Sequence, residues 1–334
     1  MRGRKRKASV RSKDLLSDPS AVAWIQRHTA GGKPNDDDRL QSLWGGYGEI
    51  VRVHLEGGDV SSAIVKQVNP PAQMKLRRGS PEHASHQRKL RSYDVEQAFY
   101  SQWRDRTGAS CRTARCYAAD KTGAGWRFLL EDLDAAGFAR RLARLDGAQV
   151  DHCLRWLASL HATFLGETPK GLWKTGTYWH LGTRAVEFAA LTDPQLKAAA
   201  RPLDAALNAC RFQTFVHGDA KTENFCFGAD GVAAVDFQYV GGGCGMKDVA
   251  YFLSSCLSDA QCEAEAPHHL DTYFSFLRQY VEASVDIDAL ECEWRSLYPA
   301  AWADFHRFLA GWAPGHWPIH RYTRQMTQEA LASL

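Results

Sequence analysis

The sequence predicts an α+β chain of two lobes, a small β-rich N-lobe followed by a larger, mostly helical C-lobe. Three observations lead there. The chain has 334 residues, more than the roughly 100–200 of one ordinary domain. Between residues 40 and 68, apolar and polar residues alternate and glycine pairs punctuate them, which is a strand-and-turn pattern. After residue 135, apolar residues recur at helical spacing, and two short strand-flanked loops interrupt them.

The elements follow in order. Residues 1–38 read as a basic, disordered arm and a lead-in. The arm, residues 1–13, holds seven Lys or Arg and no acid. The lead-in carries a short helix near Ala21–His28, then Gly31-Gly32-Lys33-Pro34 and the run Asp36-Asp37-Asp38. The N-lobe, residues 39–133, has strands expected at Leu40–Trp44, Glu49–Leu55 and Ser61–Val68, the last ended by Pro70-Pro71. Lys75–Arg91 is strongly basic and reads as a solvated loop and helix start. Its His83 and His86 lack a Cys or carboxylate at ligand spacing, so they are not read as a metal pair. Tyr93–Trp103 is helical in pattern, and Trp126–Leu130 is a buried strand with an acidic exit, Glu131–Asp134. In the C-lobe, residues 134–334, helices are expected at Val150–Phe164, Pro194–Asn208, His269–Ala283 and Leu290–Ala310.

Composition narrows the class. No run of 18 apolar residues is present, so no transmembrane helix is expected, and the N-terminus shows no apolar core of a secretory signal. Nine scattered cysteines without a Cys-x-x-Cys pair point to reduced thiols and a cytoplasmic protein. The net charge is +3, and without the arm the other residues carry −4. A basic arm suits nucleic acid or anionic lipid, or it is a solvated tail; no aromatic residue interleaves its charges, which favours the tail.

The chemistry sits in Val216-His217-Gly218-Asp219-Ala220-Lys221-Thr222-Glu223-Asn224, followed twelve residues later by Asp236-Phe237-Gln238. This His-x-Asp-x-Lys-x-x-Asn spacing supplies what phosphoryl transfer from ATP requires. Asp219 is the candidate base for a hydroxyl proton. Asn224 and Asp236 are oxygen ligands suited to a hard cation, Mg²⁺ or alternatively Mn²⁺. Lys221 is placed to neutralise the transferring phosphate, while His217 and Asp248 read as supports of the loop. Upstream, Lys66 ends an alternating strand and can reach the α- and β-phosphates, with Glu96 on the following helix as its counter-charge. Gly45, Gly46 and Gly48 allow backbone amides near phosphate, although Val51 stands where a third spaced glycine would fall.

That order of parts resembles the protein-kinase-like superfamily and, within it, the small-molecule kinases: aminoglycoside phosphotransferases, choline kinases and the ecdysteroid-kinase-like (CHK kinase-like) family. His217-Gly218-Asp219 and Asp236-Phe237-Gln238 carry the resemblance. Glu96-Gln97-Ala98-Phe99-Tyr100, Leu130-Glu131-Asp132-Leu133, Leu157-Ala158-Ser159-Leu160-His161 and Lys247-Asp248-Val249-Ala250 add to it, over about residues 40–310. It implies a two-lobed kinase-like fold, ATP and Mg²⁺ as cofactors, and a nucleotide bordered by Gly46, Gly48, Lys66, Glu96, Glu131 and Leu133.

Only eleven residues separate Asp236 from Asp248, too few for the long activation segment of a protein kinase, and no Ala-Pro-Glu triplet is present. The expected partners are therefore ATP and a small hydroxyl acceptor, choline-like, steroid-like or another alcohol. Trp312 and Trp317, in a stretch with Gly311, Pro314 and Gly315, are the candidate acceptor surface. Trp302, Phe305 and Phe308 read as core. A nucleotide-binding pseudokinase is the alternative, and the complete set of Lys66, Glu96, Asp219, Asn224 and Asp236 argues against it. The acidic body argues against nucleic acid as the partner. The sequence sets neither the acceptor nor an oligomeric state.

Overall fold

The computed structural model describes residues 15–70, 79–123 and 125–334. The basic arm, and Lys75, Arg77 and Arg78 of the basic stretch, lie outside the described residues. In chain order the elements are α1 (Pro19–His28), β1 (Lys33–Ser42), β2 (Gly48–Glu56), β3 (Ser62–Val68), α2 (Pro81–Ala98), β4 (Arg112–Thr113), β5 (Cys116–Thr122) and β6 (Gly125–Glu131). Then come α3 (Gly147–Thr163), α4 (Ala185–Ala190), α5 (Pro194–Ala209), β7 (Thr214–Val216), β8 (Phe225–Phe227), β9 (Val232–Ala234) and β10 (Gly241–Gly243). The chain closes with α6 (Met246–Cys256), α7 (Asp259–Tyr280), α8 (Ile287–Trp312) and α9 (Arg321–Ala332). The chain is thus of the mixed α+β class, with a β-rich unit and a mostly helical unit.

Among the described residues, the β-rich unit comprises those before Pro81 together with those of Ala114–Ala139. Five strands pair antiparallel in the order β1-β2-β3-β6-β5. Ile25 and Trp24 of α1 pack on Val51, Val53, Leu55, Val65 and Leu129, each worth about 1.5–3 kcal/mol when fully buried. Trp24 Nε1 also donates to Asp120 Oδ2 at 2.5 Å. The stretch read as lead-in is therefore structured. The first strand is Lys33–Ser42 and runs through the Asp run, where Leu40–Trp44 was expected. It is the sheet's edge, so most of its side chains face solvent and no apolar alternation marks it. Charges suit such a strand because they discourage further pairing.

The helical unit comprises Pro81–Thr113 and Arg140–Leu334. Residues 81–113 thus group with the helices, whereas the sequence reading placed them in the N-lobe. The expected helices are present and longer than expected. α7 starts at Asp259 because Ser258 and Gln261 form a capping box, and α7 and α8 run through Pro267 and Pro299. α6 and α9 are further helices beyond those expected. Trp302, Phe305 and Phe308 are buried, as expected. Two short sheets, β10-β7 and β4-β9-β8, flank the loops that carry Asp219 and Asp236. All nine cysteines are free thiols. Among the described residues, no helix is long and apolar enough to cross a membrane.

Candidate active site

The loop from His217 to Asn224 leaves β7 and enters β8, and Asp236 follows β9, the antiparallel partner of β8. A hairpin between the two loops fixes their separation. The path of the first loop is set by Asp248, which is fully buried at the start of α6. Its Oδ2 accepts the backbone N–H of His217 at 2.5 Å, and its Oδ1 accepts that of Gly218 at 2.9 Å. His161 Nε2 lies 3.2 Å from Oδ2, and its Nδ1 is 2.7 Å from the Tyr273 hydroxyl. Gly218 has φ of 78°, and a Cβ there would lie 2.2 Å from the carbonyl oxygen of Tyr239. Only glycine fits that turn.

His217 holds both loops at once. Its Nδ1 accepts the Asp219 N–H at 3.2 Å, so the proton sits on Nε2, which donates to the carbonyl of Val235 at 3.1 Å. Burial lowers its pKa and keeps this neutral tautomer in place. The ring also packs on Phe237, centroids 4.9 Å apart, and Phe237 stacks on Phe99 of the helical unit at 3.9 Å. Asp236 has φ of 71°, a left-handed conformation that Asp adopts more readily than most residues.

Asp219 gathers the polar side chains of the loop around it. The Tyr251 hydroxyl donates to its Oδ1 at 3.0 Å, Asn224 Nδ2 donates to its Oδ2 at 3.1 Å, and Lys221 Nζ is 3.5 Å from Oδ2. Burial raises its pKa to about 6; the Asp236 charge adds to the rise, and Lys221, Tyr251 and Asn224 oppose it. Burial tends to discharge Lys221, but the charges of Asp219 and Asp236 outweigh it and raise its pKa. Burial pushes the Tyr251 phenol well up, so it stays protonated and donates. The structure therefore brings Asp219, Lys221 and Asn224 into direct contact, with Asp236 near enough for its charge to act on Asp219.

Asn224 and Asp236 offer an amide oxygen and a carboxylate, an oxygen donor set suited to Mg²⁺. The mutual repulsion of Asp219 and Asp236, which helps hold Asp219 near 6, is what a divalent cation relieves. The residues present fit such an ion.

Tyr251 was missed in the sequence. It stands three residues after Asp248, one helical turn along the same face, and that spacing is the signal that could have found it. Tyr178 and Tyr239 complete a ring shell around it, with Tyr178 at 5.5 Å from Tyr251 and 6.0 Å from Tyr239. The segment bearing Tyr178 is tied to the loop by Tyr178 N–H on the carbonyl of Gly218, 3.0 Å. Its neighbour Thr177 is buried with φ of 95°, a rare state for a β-branched residue.

In the β-rich unit, Lys66 is buried on β3 opposite Phe128, its Nζ 5.9 Å from that ring. Gly46 has φ of 75°, and its N–H donates to the Leu43 carbonyl at 3.2 Å. A Cβ on Gly48 would lie 2.0 Å from the carbonyl oxygen of Gln67, so this glycine serves the approach of β2 to β3. Glu131 ends β6 and accepts the Arg115 N–H at 2.9 Å, and the buried Leu133 accepts the Phe138 N–H through its carbonyl at 2.8 Å. Between them, Asp132 was not singled out from the sequence. It accepts from Arg52 Nε at 2.7 Å, Ser62 Oγ at 2.8 Å and the Asp134 N–H at 3.1 Å. Glu96 is buried on α2, in the helical unit. Trp312 and Trp317 are 54% and 55% exposed, with Trp312 stacked on Phe308 at 5.6 Å.

No curated protein matches the sequence. Among solved structures the chain is similar to the amicoumacin kinase hAmiN, at 12% identity and TM-score 0.49, over 96% of this chain and 95% of that one. It is also similar to choline kinase from Cryptosporidium parvum Iowa II, at 12% identity and TM-score 0.47, over 89% and 88%. A microcompartment-associated aminopropanol kinase aligns at 13% identity and TM-score 0.45, over 94% of each. Residues 41–286, well over half of the chain, match the phosphotransferase enzyme family (APH), and the protein belongs to that family.

Proposed function

We propose that the protein is an ATP-dependent kinase that moves the γ-phosphoryl group of ATP to a hydroxyl of a small molecule. The observation that carries this reading is the Asp219 carboxylate, buried, raised to about 6 and held by Tyr251, Asn224 and Lys221. Such a group is a base poised near neutrality. The acceptor oxygen forms a bond to the γ-phosphorus, the bond from that phosphorus to the bridging oxygen breaks, ADP leaves, and the hydroxyl proton passes to Asp219. Lys221 stays cationic beside the base and offsets charge on the transferring group. Asn224 and Asp236 would hold Mg²⁺, which supplies charge neutralisation on the phosphates when bound. The nucleotide roles of Lys66, Glu96, Glu131, Leu133, Gly46 and Gly48 rest on their place in the sequence pattern.

ATP consumption with a panel of hydroxylated compounds tests the reading. Asp219→Asn should keep ATP affinity within a few-fold and lower kcat by roughly 10²–10⁴, the usual worth of a positioned acid–base group. Asp236→Asn should abolish turnover with Mg²⁺ present. ATP binding without turnover of any alcohol would favour the pseudokinase, and full activity of Asp219→Asn would remove the base.

A further inference from the structure

Residues 173–180 run between α3 and α4 without a strand or α-helix of their own, yet they lie close against β10 and β7. Trp173 forms a parallel bridge with Gly241, and the Gly176 N–H donates to the carbonyl of Gly242 at 2.8 Å. The approach is close: a Cβ on Gly241 would lie 2.3 Å from the carbonyl oxygen of Trp173, and one on Gly176 would lie 2.5 Å from Val216 Cγ2.

Two successive amides of this segment reach both candidate loops. The Thr177 N–H donates to the carbonyl of Tyr239, three residues after Asp236, at 3.1 Å. The Tyr178 N–H donates to the carbonyl of Gly218, just before Asp219, at 3.0 Å. In an extended strand, successive N–H groups point to opposite sides. Here the two acceptors are neighbours, since a Cβ on Gly218 would lie 2.2 Å from the Tyr239 oxygen. The backbone of Thr177, with φ of 95°, makes the turn that serves both. That conformation is costly for a β-branched residue and persists only where the surroundings fix it. The Thr177 side chain does not offset the cost, because its Oγ1 is buried without a hydrogen-bond partner among the described residues.

A buried ion pair on α8 holds the segment from its other end. Arg307 Nη2 lies 2.6 Å from Asp304 Oδ1, and both residues are buried. The pair grips Trp179 twice: the indole Nε1 donates to Asp304 Oδ2 at 3.0 Å, and Arg307 Nη2 donates to the Trp179 carbonyl at 3.1 Å. A buried pair holds only where its other polar atoms find partners, and Trp179 supplies two of them. The Trp179 ring is itself buried against Tyr251 and Phe305, with centroids 4.9 and 5.0 Å away.

We propose that residues 173–180 are a brace that sets the spacing of the Asp219 and Asp236 loops, with Thr177 aiming its two amides and Trp179, Asp304 and Arg307 acting through it as positioning residues. The brace rests on the kinase reading only where turnover is concerned, because the tie between the loops belongs to the folded chain whatever reaction it serves. Strain at Thr177 then serves loop spacing and not stability, so relieving it should separate the two.

The test uses the full chain, the variants Thr177→Gly and Trp179→Phe, and the control Trp302→Phe. Trp302 is as buried on α8 as Trp179 is in the brace, but packs on Tyr322 and His320. Amide hydrogen exchange is followed by mass spectrometry in residues 214–225 and 236–243, with α3 as internal reference. In Thr177→Gly the relief of strain offsets the added chain entropy, so the melting temperature should be retained. Exchange in both segments should nevertheless rise about tenfold or more relative to α3, as expected for a local opening. With ADP release as readout, kcat should fall about 10- to 100-fold while the ATP KM stays within a few-fold, the usual cost of a misplaced reacting group. Trp179→Phe loses one donor, keeps a ring and leaves the Thr177 backbone untouched, and it should loosen the same two segments. Trp302→Phe should loosen neither. Unchanged exchange in both brace variants would overturn the brace, as would a rise spread evenly over the helical unit, α3 included. Looser loops with wild-type kcat in Thr177→Gly would overturn the positioning role. If the two segments loosen as expected and the wild-type protein phosphorylates no alcohol, the brace stands and the kinase reading fails.

Discussion

Two buried aspartates, one in each unit, are held in opposite ways. Asp132 in the β-rich unit is held chiefly by side chains: Arg52, which also reaches Asp134 at 2.5 Å, and Ser62. Asp248 in the helical unit is held by the backbone N–H groups of His217 and Gly218, with His161 behind them. The first arrangement ties the end of one strand to its neighbours. The second dictates the path of the chain that carries Asp219. An anchor made to backbone therefore transmits its loss to the loop that carries Asp219, while one made to side chains loses mainly stability.

Three substitutions break or sharpen this contrast. The largest effect is expected for Asp248→Ala, which strands two buried N–H groups and His161. A loss of about 3–5 kcal/mol is expected from breaking a buried, hydrogen-bonded charge, together with loss of turnover in whatever fraction remains folded. Denaturant titration with activity measured on the folded protein checks both, and a stable, fully active variant would dissolve the contrast.

Asp132→Asn should cost less, about 1–3 kcal/mol for hydrogen bonds to a charged group, because Arg52 keeps contact with water and with Asp134. The kcat of the folded enzyme should stay within a few-fold. Burial acts to raise the pKa of Asp132, but Arg52 and Ser62 outweigh it, so the carboxyl is held below its usual value. Its stabilising effect is thus present above the unfolded value near about 3.9 and fades as pH falls through the folded value. The stability gap between wild type and Asp132→Asn should close in that acidic range. A gap independent of pH would mean that the carboxylate charge is not what Arg52 recognises.

The smallest effect is a shift in pH profile. Tyr251→Phe removes a hydrogen bond that favours the charged form of Asp219, so the pKa of that base should move up from about 6. With Asp219 as the proposed base, which works deprotonated, activity should fall as pH drops through this value, and the acid limb of kcat should move to higher pH in the variant. An unmoved limb with a lower plateau would make Tyr251 a packing residue.

Much of this was legible in the residues. The α+β class followed from alternation before residue 68 and helical periodicity after 135, because those periods are local consequences of which face is buried. His217, Asp219, Asn224 and Asp236 stood out by their residue types and spacing, and the structure sets them on two neighbouring loops. The edge strand through Asp36-Asp37-Asp38 did not stand out, because an edge buries little and so leaves no apolar alternation. Nor did the local pattern show that a Cβ on Gly48 would stand 2.0 Å from the Gln67 carbonyl, because that approach is made across two strands.

By itself, the sequence determined the class of the fold and set His217, Asp219, Asn224 and Asp236 on two loops, since both are written in local period and spacing. The tertiary structure alone decided that Tyr251 caps Asp219, that Asp248 grips the loop through its amides, and that Arg88 meets the Thr183 carbonyl. Those facts depend on which residues, 30 or more apart for Gly218 and Asp248 and 95 apart for Arg88 and Thr183, come within hydrogen-bond reach. Packing settles that, and no local pattern records it.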